Sequence, residues 1–244
     1  MQQAVAYLAD TGKISEVAEA VASLPTLRSQ PFASPEHAIE TGNAQAVSDQ
    51  PAENQAERLE KAAAWLEAAA ERVKQMAWMR PEQWSNLDIH ERVVALNSAG
   101  RVLAEVYHIP NPPLLVLEME HPGAYGSYGD GYRLDVDTGQ IKGADYAIKM
   151  NLSAGVNYEK LFGDDPAVAL ETYAHEFRHS YQAEQVTRYL KPQHRNLVDD
   201  PQTTQAWTQP YIGPEEDYQA YFNQPVETDA RQFAKTLVKR VYDL

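Results

Sequence analysis

The sequence predicts an α+β protein that is mostly helical and carries a small mixed sheet. Apolar residues recur at helical spacing over much of the chain, while short apolar stretches of strand type are confined to its middle. Clusters of proline separate these segments. The order is therefore helices, then a few strands, then helices, which is typical of an α+β fold rather than of alternating strands and helices.

The first 55 residues predict a helix followed by a linker. Residues 2–23 place Ala, Val and Leu at helical spacing, and the helix is expected to stop before Pro25. From there to about Gln55 the chain is rich in Pro, Ser, Asn, Gln and acidic residues, and it is poor in large apolar ones. We interpret residues 1–55 as a helix with a flexible arm, with a propeptide, an inhibitory arm or a delivery segment as its candidate roles.

Residues 56–111 predict two amphipathic helices that pack on the rest of the chain. The first helix runs to about residue 79, before Pro81, and its apolar side chains are expected to face the core. These side chains are Leu59, Ala63, Leu66, Val73, Met76 and Trp78. Asp88 and Glu91 have the spacing of a capping box, which predicts a second helix through about Val106.

Residues 112–244 carry the predicted sheet and the longest helix. The segments 114–119 and 146–152 have strand composition, and the Gly- and Tyr-rich segment 121–140 predicts loops around one or two short strands. Pro166, just after two aspartates, predicts the first turn of a long helix over roughly 166–190. A polar loop and a final helix from about Val226 to Val241 complete the chain.

Charge and composition exclude several functional classes. With 21 Lys and Arg against 35 Asp and Glu, the net charge is −14, which disfavours binding to nucleic acid or to an anionic membrane surface. The chain has no cysteine, so thiolate metal ligands and a cysteine nucleophile are excluded. No secretory signal and no apolar stretch long enough for a membrane span is found, and we expect a cytoplasmic protein or one exported by a dedicated secretion system.

The strongest chemical signal is the pentapeptide His175-Glu176-Phe177-Arg178-His179 within the long predicted helix. Two histidines four residues apart lie on one helical face, so both imidazoles are able to reach a single zinc ion. Glu176 projects beside such a metal and is placed to take a proton from water. Arg178 stands where zinc-binding helices usually have an uncharged residue, and an outward-facing arginine is compatible with the site.

A third ligand has to come from another segment, and Glu227 is the best candidate. It follows Pro225 at the predicted start of the last helix. Asp229 is expected to point elsewhere and to fix a ligand histidine through its other ring nitrogen. Two acids favoured by the helix dipole are the alternative interpretation of this pair.

The two motif helices resemble those of the zincin metallopeptidases with a glutamate third ligand, among them the ImmA/IrrE-type peptidases and peptidase domains of bacterial polymorphic toxins. The resemblance covers roughly residues 112–244 and implies one Zn²⁺ per chain, held by His175, His179 and Glu227, with Glu176 as the base. It also implies a zincin-like fold in which an edge strand, here 146–152, packs on the metal-binding helix and pairs with an extended substrate.

The predicted function is hydrolysis of a protein or peptide substrate through a zinc-bound water that Glu176 activates. A toxin or effector and a regulatory protease are both candidates, and an immunity or regulatory protein is a candidate partner. The alternative is a non-catalytic zincin-like binding module. Tyr181 and Gln182 are expected to brace the site, and Tyr211, Tyr218, Tyr221 and His194 are candidates for stabilising the oxyanion.

Overall fold

The computed structural model describes residues 55–110, 112–118, 126–135, 140–151, 162–191, 194 and 198–244. The helix predicted at 2–23 and the linker that follows it lie outside these ranges. The described part is mostly helical and contains one small mixed sheet, so the predicted α+β class is confirmed.

The first described helix is shorter than the sequence predicts. Helix α1 spans Gln55–Lys74, a 3₁₀ turn follows at Ala77–Met79, and Pro81 begins the short helix α2 (Pro81–Trp84) instead of ending the first. The predicted core face was wrong at three of its residues, because Leu59, Ala63 and Trp78 are exposed. Trp78 lies in the 3₁₀ turn, where it no longer continues the apolar face of α1.

Helix α3 (Ile89–Val106) begins at the predicted capping box. The Asp88 carboxylate accepts hydrogen bonds from the backbone N–H groups of His90 and Glu91 at 2.9 and 3.0 Å. The Glu91 carboxylate in turn accepts from the Asp88 N–H at 2.7 Å. This reciprocal pairing satisfies N–H groups that a helix start otherwise leaves free, so the capping box is confirmed.

The sheet contains strands β1 (Leu115–Glu118), β2 (Gly126–Asp135) and β3 (Gln140–Asn151) in the order β1-β3-β2. Strand β1 is parallel to β3, and β2 is antiparallel to it. Ile148 of β3 is therefore paired on both sides, with Leu115 and with Tyr128. The prediction that 146–152 forms an edge strand was wrong, because a side-chain pattern defines the faces of a strand but not its neighbours.

The longest helix, α4 (Pro166–Leu190), has the predicted bounds, with the Asp165 carboxylate accepting from the Ala167 N–H at 2.9 Å. The segment predicted as a polar loop instead contains helices α5 (Pro201–Trp207) and α6 (Tyr218–Asn223). Each of these starts at an aspartate whose side chain accepts from two backbone N–H groups of the first turn. The last helix, α7, spans Pro225–Tyr242.

The core lies where α4 packs between α3 and α7, with α1 closing the other side of α7. Helix α4 contributes Leu170, Tyr173 and Phe177, and α7 contributes Ala234 and Leu237, all of them buried. Helices α4 and α7 are thereby held in a fixed relation, which determines how their polar faces meet. None of the described helices is both long and apolar enough to cross a membrane.

Candidate metal centre

The two histidines of the motif lie one turn apart on α4, and their rings approach each other edge to face. Their Nε2 atoms are 3.2 Å apart. Both side chains are largely covered but keep 19% and 16% of their surface exposed. The nitrogens that would bind a metal therefore converge at a place that solvent still reaches.

Glu227 enters the same place from the first turn of α7, where Pro225 begins the helix. Its carboxylate lies 3.3 Å from the Nε2 of His175 and 3.4 Å from that of His179. The residue is only 1% exposed, and its Oε2 makes no hydrogen bond of acceptable geometry. The guanidinium of Arg231 is the other charge nearby, at 3.7 Å from Oε2. This buried oxygen therefore has charged groups within ion-pair distance but makes no hydrogen bond.

These donor atoms fit a zinc ion. Ligand atoms at roughly 2.0–2.1 Å from a tetrahedral metal are separated from one another by about 3.3 Å. Here the two imidazole nitrogens are 3.2 Å apart, and each faces a different oxygen of the Glu227 carboxylate, His175 at 3.3 Å from Oε2 and His179 at 3.4 Å from Oε1. Neutral imidazole nitrogens with one carboxylate oxygen form a donor set typical of catalytic zinc, and the buried Oε2 that makes no hydrogen bond is consistent with it.

Glu176 lies close to the same two histidines. One of its carboxylate oxygens lies within 4.8 Å of the ring nitrogens of His175 and His179. Its side chain is buried, and burial raises the pKa of the carboxyl group; the two histidines oppose this shift and Glu227 adds to it. A carboxylate with a raised pKa is a stronger base than an ordinary glutamate.

The charges of the ligand candidates are strongly coupled. Burial acts to raise the pKa of Glu227, but hydrogen bonding and the charges of His175 and His179 outweigh it and lower that pKa. For His179, burial acts to lower the pKa, but Glu227 and Glu176 outweigh it and raise it. Without a metal, the site therefore favours a carboxylate paired with a protonated imidazole.

Asp229 does not contact a histidine directly. Its carboxylate accepts a hydrogen bond from the side-chain amide of Gln182 at 2.7 Å, and the oxygen of that amide lies 2.8 Å from the Nδ1 of His179. Gln182 therefore connects the acid to the ligand, one turn along the helix from His179. The i, i+3 spacing of His179 and Gln182 was the signal for this contact in the sequence.

Arg178 faces the protein interior, not solvent. Its guanidinium makes two hydrogen bonds to Asp229, at 2.8 and 3.1 Å, and lies 4.3 Å from the ring centre of Tyr181. The residue that departs from the usual motif is thus a contact between α4 and α7. The motif pattern alone contained no signal for this inward orientation.

Of the oxyanion candidates, the structure brings Tyr211 and Tyr221 to the site. The Tyr211 hydroxyl donates to Glu227 at 3.3 Å, and the two tyrosine rings meet edge to face. Burial, followed by the charge of Glu227, raises the pKa of both hydroxyls, which keeps them protonated. For His194, none of the hydrogen bonds or ion pairs of the described residues joins its side chain to the site.

Strand β2 lies directly over this part of α4. A Cβ atom on Gly126 would be 3.1 Å from the Thr172 side chain and 3.2 Å from the Cγ of Glu176. The glycine allows the backbone of the strand to approach the helix at the level of Glu176. No pairing partner occupies the outer edge of β2 among the described residues.

The arrangement combines three groups of the kind that bind metals, a buried carboxylate with a raised pKa, and an edge strand that packs against this carboxylate. Such a combination is able to position a water molecule beside the carbonyl group of an extended chain. No protein-family model, curated protein or solved structure matches this chain.

Proposed function

We propose that the chain is a zinc-dependent peptidase that binds one Zn²⁺ through His175, His179 and Glu227. The observation that carries the proposal is the convergence of two imidazole nitrogens, 3.2 Å apart, on the carboxylate of Glu227, whose oxygens lie 3.3 and 3.4 Å from them, beside the buried Glu176. Two histidines and one glutamate leave a coordination position for substrate or water, as catalytic sites do and closed structural sites do not.

In this proposal a bound zinc ion supplies Lewis acidity that acidifies water and stabilises the developing oxyanion. Glu176 accepts a proton from the water whose oxygen forms a bond to the peptide carbonyl carbon. As the carbon–nitrogen bond breaks, Glu176 delivers this proton to the leaving amine nitrogen. The raised pKa of Glu176 suits a group that first takes and then returns a proton.

Tyr211 is the preferred candidate for a second oxyanion donor. Its hydroxyl donates to Glu227 at 3.3 Å, so it already lies at the metal-binding group. Since its pKa is raised, the hydroxyl keeps its proton at neutral pH, as a hydrogen-bond donor must.

The extended substrate is placed along the outer edge of β2. Strand β3 is paired on both sides at residues 148–150, so it offers no free edge there. Strand β2 has an open edge among the described residues, and its first residue, Gly126, lies against Glu176. A zincin-like arrangement of residues 112–244 would require an edge strand packed on the metal-binding helix, and the packing of β2 on α4 supports this part of the proposal. A toxin or effector and a regulatory protease both remain within this proposal.

The test combines metal content with cleavage. Purified protein is expected to contain about one zinc per chain, measured by elemental mass spectrometry, and to cleave members of a peptide library. Glu176→Gln should retain the zinc and lose cleavage by at least about 100-fold, in the range of general acid–base contributions. Glu171→Gln, on the same helix, is the control and should keep both.

Two outcomes would contradict the proposal. A protein that takes up no zinc has no metal centre of this kind. A protein that binds zinc, but whose cleavage is absent or unaffected by Glu176→Gln, does not use the proposed chemistry, and the binding-module alternative would then apply.

A further inference from the structure

The hydrogen bonds of Gln182 define which nitrogen of His179 carries a proton. The amide nitrogen of Gln182 lies 2.9 Å from the Val226 carbonyl oxygen and 2.7 Å from an Asp229 carboxylate oxygen. Both of these atoms only accept hydrogen bonds, so the amide nitrogen must face them and the amide oxygen must face His179. The Nδ1 of His179, 2.8 Å from that oxygen, is therefore the donor. In the neutral ring, Nε2 is then left with its lone pair directed at the metal position.

The negative charge at the far end of this connection is held by Arg178. The Nε and Nη2 atoms of the arginine donate to the two carboxylate oxygens of Asp229 at 2.8 and 3.1 Å. The oxygen that accepts from Nε also accepts from Gln182. Both oxygens of Asp229 thus have partners, and the carboxylate cannot rotate without breaking these bonds.

Arg178 is itself fixed by rings from four parts of the fold. The residue after α3, helix α4, helix α5 and helix α7 each provide one aromatic ring within 5.9 Å of the guanidinium carbon. The rings belong to Tyr107, Tyr181, Trp207 and Phe233. Such rings attract a guanidinium and cover its faces.

We propose that Arg178 and Asp229 are positioning residues that act through Gln182 on His179, and that they orient its Nε2 for zinc. This inference rests on the metal centre of the proposed function but not on peptide cleavage. The arginine that interrupts the usual motif thereby connects the core of the protein to one metal ligand. In other proteins, mutating a residue that holds a metal ligand without touching the metal typically lowers metal affinity by 10- to 100-fold.

The test compares two buried glutamines of α4. Gln182→Leu removes the connection to His179, and its zinc affinity is expected to fall by about 10- to 100-fold. Gln185→Leu is the matched control, because Gln185 is also buried and makes two hydrogen bonds to Asp199, away from the metal site. Zinc affinity is measured by competition with a chelator, and unfolding of each metal-free variant by urea. Both variants should lose similar stability, while only Gln182→Leu should bind zinc more weakly.

A second comparison tests whether the change in zinc affinity depends on the hydrogen bonds that connect Asp229 through Gln182 to His179. Asp229→Asn should weaken zinc binding in the wild-type background and have no further effect in the Gln182→Leu background, because its route to His179 is then already broken. Equal zinc affinity in the two glutamine variants would overturn the inference while leaving the proposed function standing. A wild-type chain that binds no zinc would overturn both, and a chain that binds zinc without cleaving peptides would overturn only the proposed function.

Discussion

Two carboxylates of helix α7, only two residues apart, are held in opposite ways. Asp229 has hydrogen-bond donors on both of its oxygens, from Arg178 and Gln182. Glu227 is more deeply buried, yet its Oε2 makes no hydrogen bond. A buried carboxylate with hydrogen bonds to both oxygens connects two parts of the scaffold, whereas one with an oxygen that makes no hydrogen bond is costly unless a ligand completes it. The comparison separates the structural acid from the proposed metal ligand.

The largest expected effect is on zinc binding after Glu227→Gln. The change keeps the shape of the side chain but removes the anionic ligand. Zinc affinity should therefore fall by more than about 100-fold, which exceeds the loss expected for residues that only hold a ligand in place. Chelator competition measures this change. A variant with wild-type affinity would show that Glu227 is not a ligand.

Asp229→Ala is expected to act mainly on folding. Arg178 would be left largely buried without its anion, and the free energy of unfolding of the metal-free chain should fall by roughly 2–3 kcal/mol. This figure lies below that of fully buried pairs because the two side chains keep 15% and 26% of their surface exposed. Urea unfolding in the presence of a chelator measures it. A wild-type midpoint would mean that the ion pair does not hold α4 to α7.

Tyr173 carries a buried hydroxyl that makes no hydrogen bond and does not lie among the candidate metal ligands. Its hydroxyl makes no hydrogen bond, and it lies where Gly100 leaves space, 1.8 Å from the position a Cβ atom would take. Tyr173→Phe should leave zinc affinity unchanged and raise the unfolding free energy by about 1 kcal/mol, since an unsatisfied buried hydroxyl is removed. Weaker zinc binding in this variant would contradict the distinction between Glu227 as a proposed metal ligand and Tyr173 as a buried polar residue without a role in metal binding.

The smallest expected effect is on the pH dependence of stability. The pKa of Glu227 is lowered from 4.5, so its contribution is present above pH 4.5 and is lost as the pH falls. The pKa of His179 is raised from 6.5, so its contribution is complete below pH 6.5 and is lost as the pH rises through the raised value. The metal-free chain should therefore have a lower melting temperature at pH 8 than at pH 6.

Zinc should reverse this trend, because the histidines bind the metal as neutral rings and affinity increases with pH. Melting temperatures with chelator and with excess zinc, at pH 6 and pH 8, measure both trends. Glu227→Gln is the control, and it should reduce the difference in melting temperature between pH 6 and pH 8 that is expected for the metal-free chain. A metal-free chain that becomes more stable at pH 8 would contradict the assigned coupling.

Local signals in the sequence predicted much of the helical structure. Asp88 with Glu91, and Asp165 with Pro166, defined the starts of α3 and α4, because capping depends on residues adjacent in the chain. The spacing of His175 and His179 also predicted a shared helical face. That Glu227 lies beside them in the structure depends on how α4 packs on α7, which the helix-start signal at Pro225 did not contain.

Features that depend on distant pairing were harder to predict. The segment 146–152 has the composition of any strand, and the central place of residues 148–150 follows from β1 and β2 lying on either side of them. The inward orientation of Arg178 likewise depends on three rings from other parts of the fold, besides the ring of Tyr181 on the same helix. Charged residues are usually placed at the surface by sequence reasoning, and only the partner Asp229 makes this one suitable for the interior.

Helix α4 turns Tyr173 and Phe177 toward the core and His175 and His179 toward the site. The same helix therefore carries both core residues and site residues, and its backbone cannot open at the histidines while the core stays closed. Backbone amides at His175 and Glu176 should exchange with deuterium only through global unfolding, as slowly as those of Leu170. Departure of a bound ion would then proceed through rotation of side chains and not through bending of the helix.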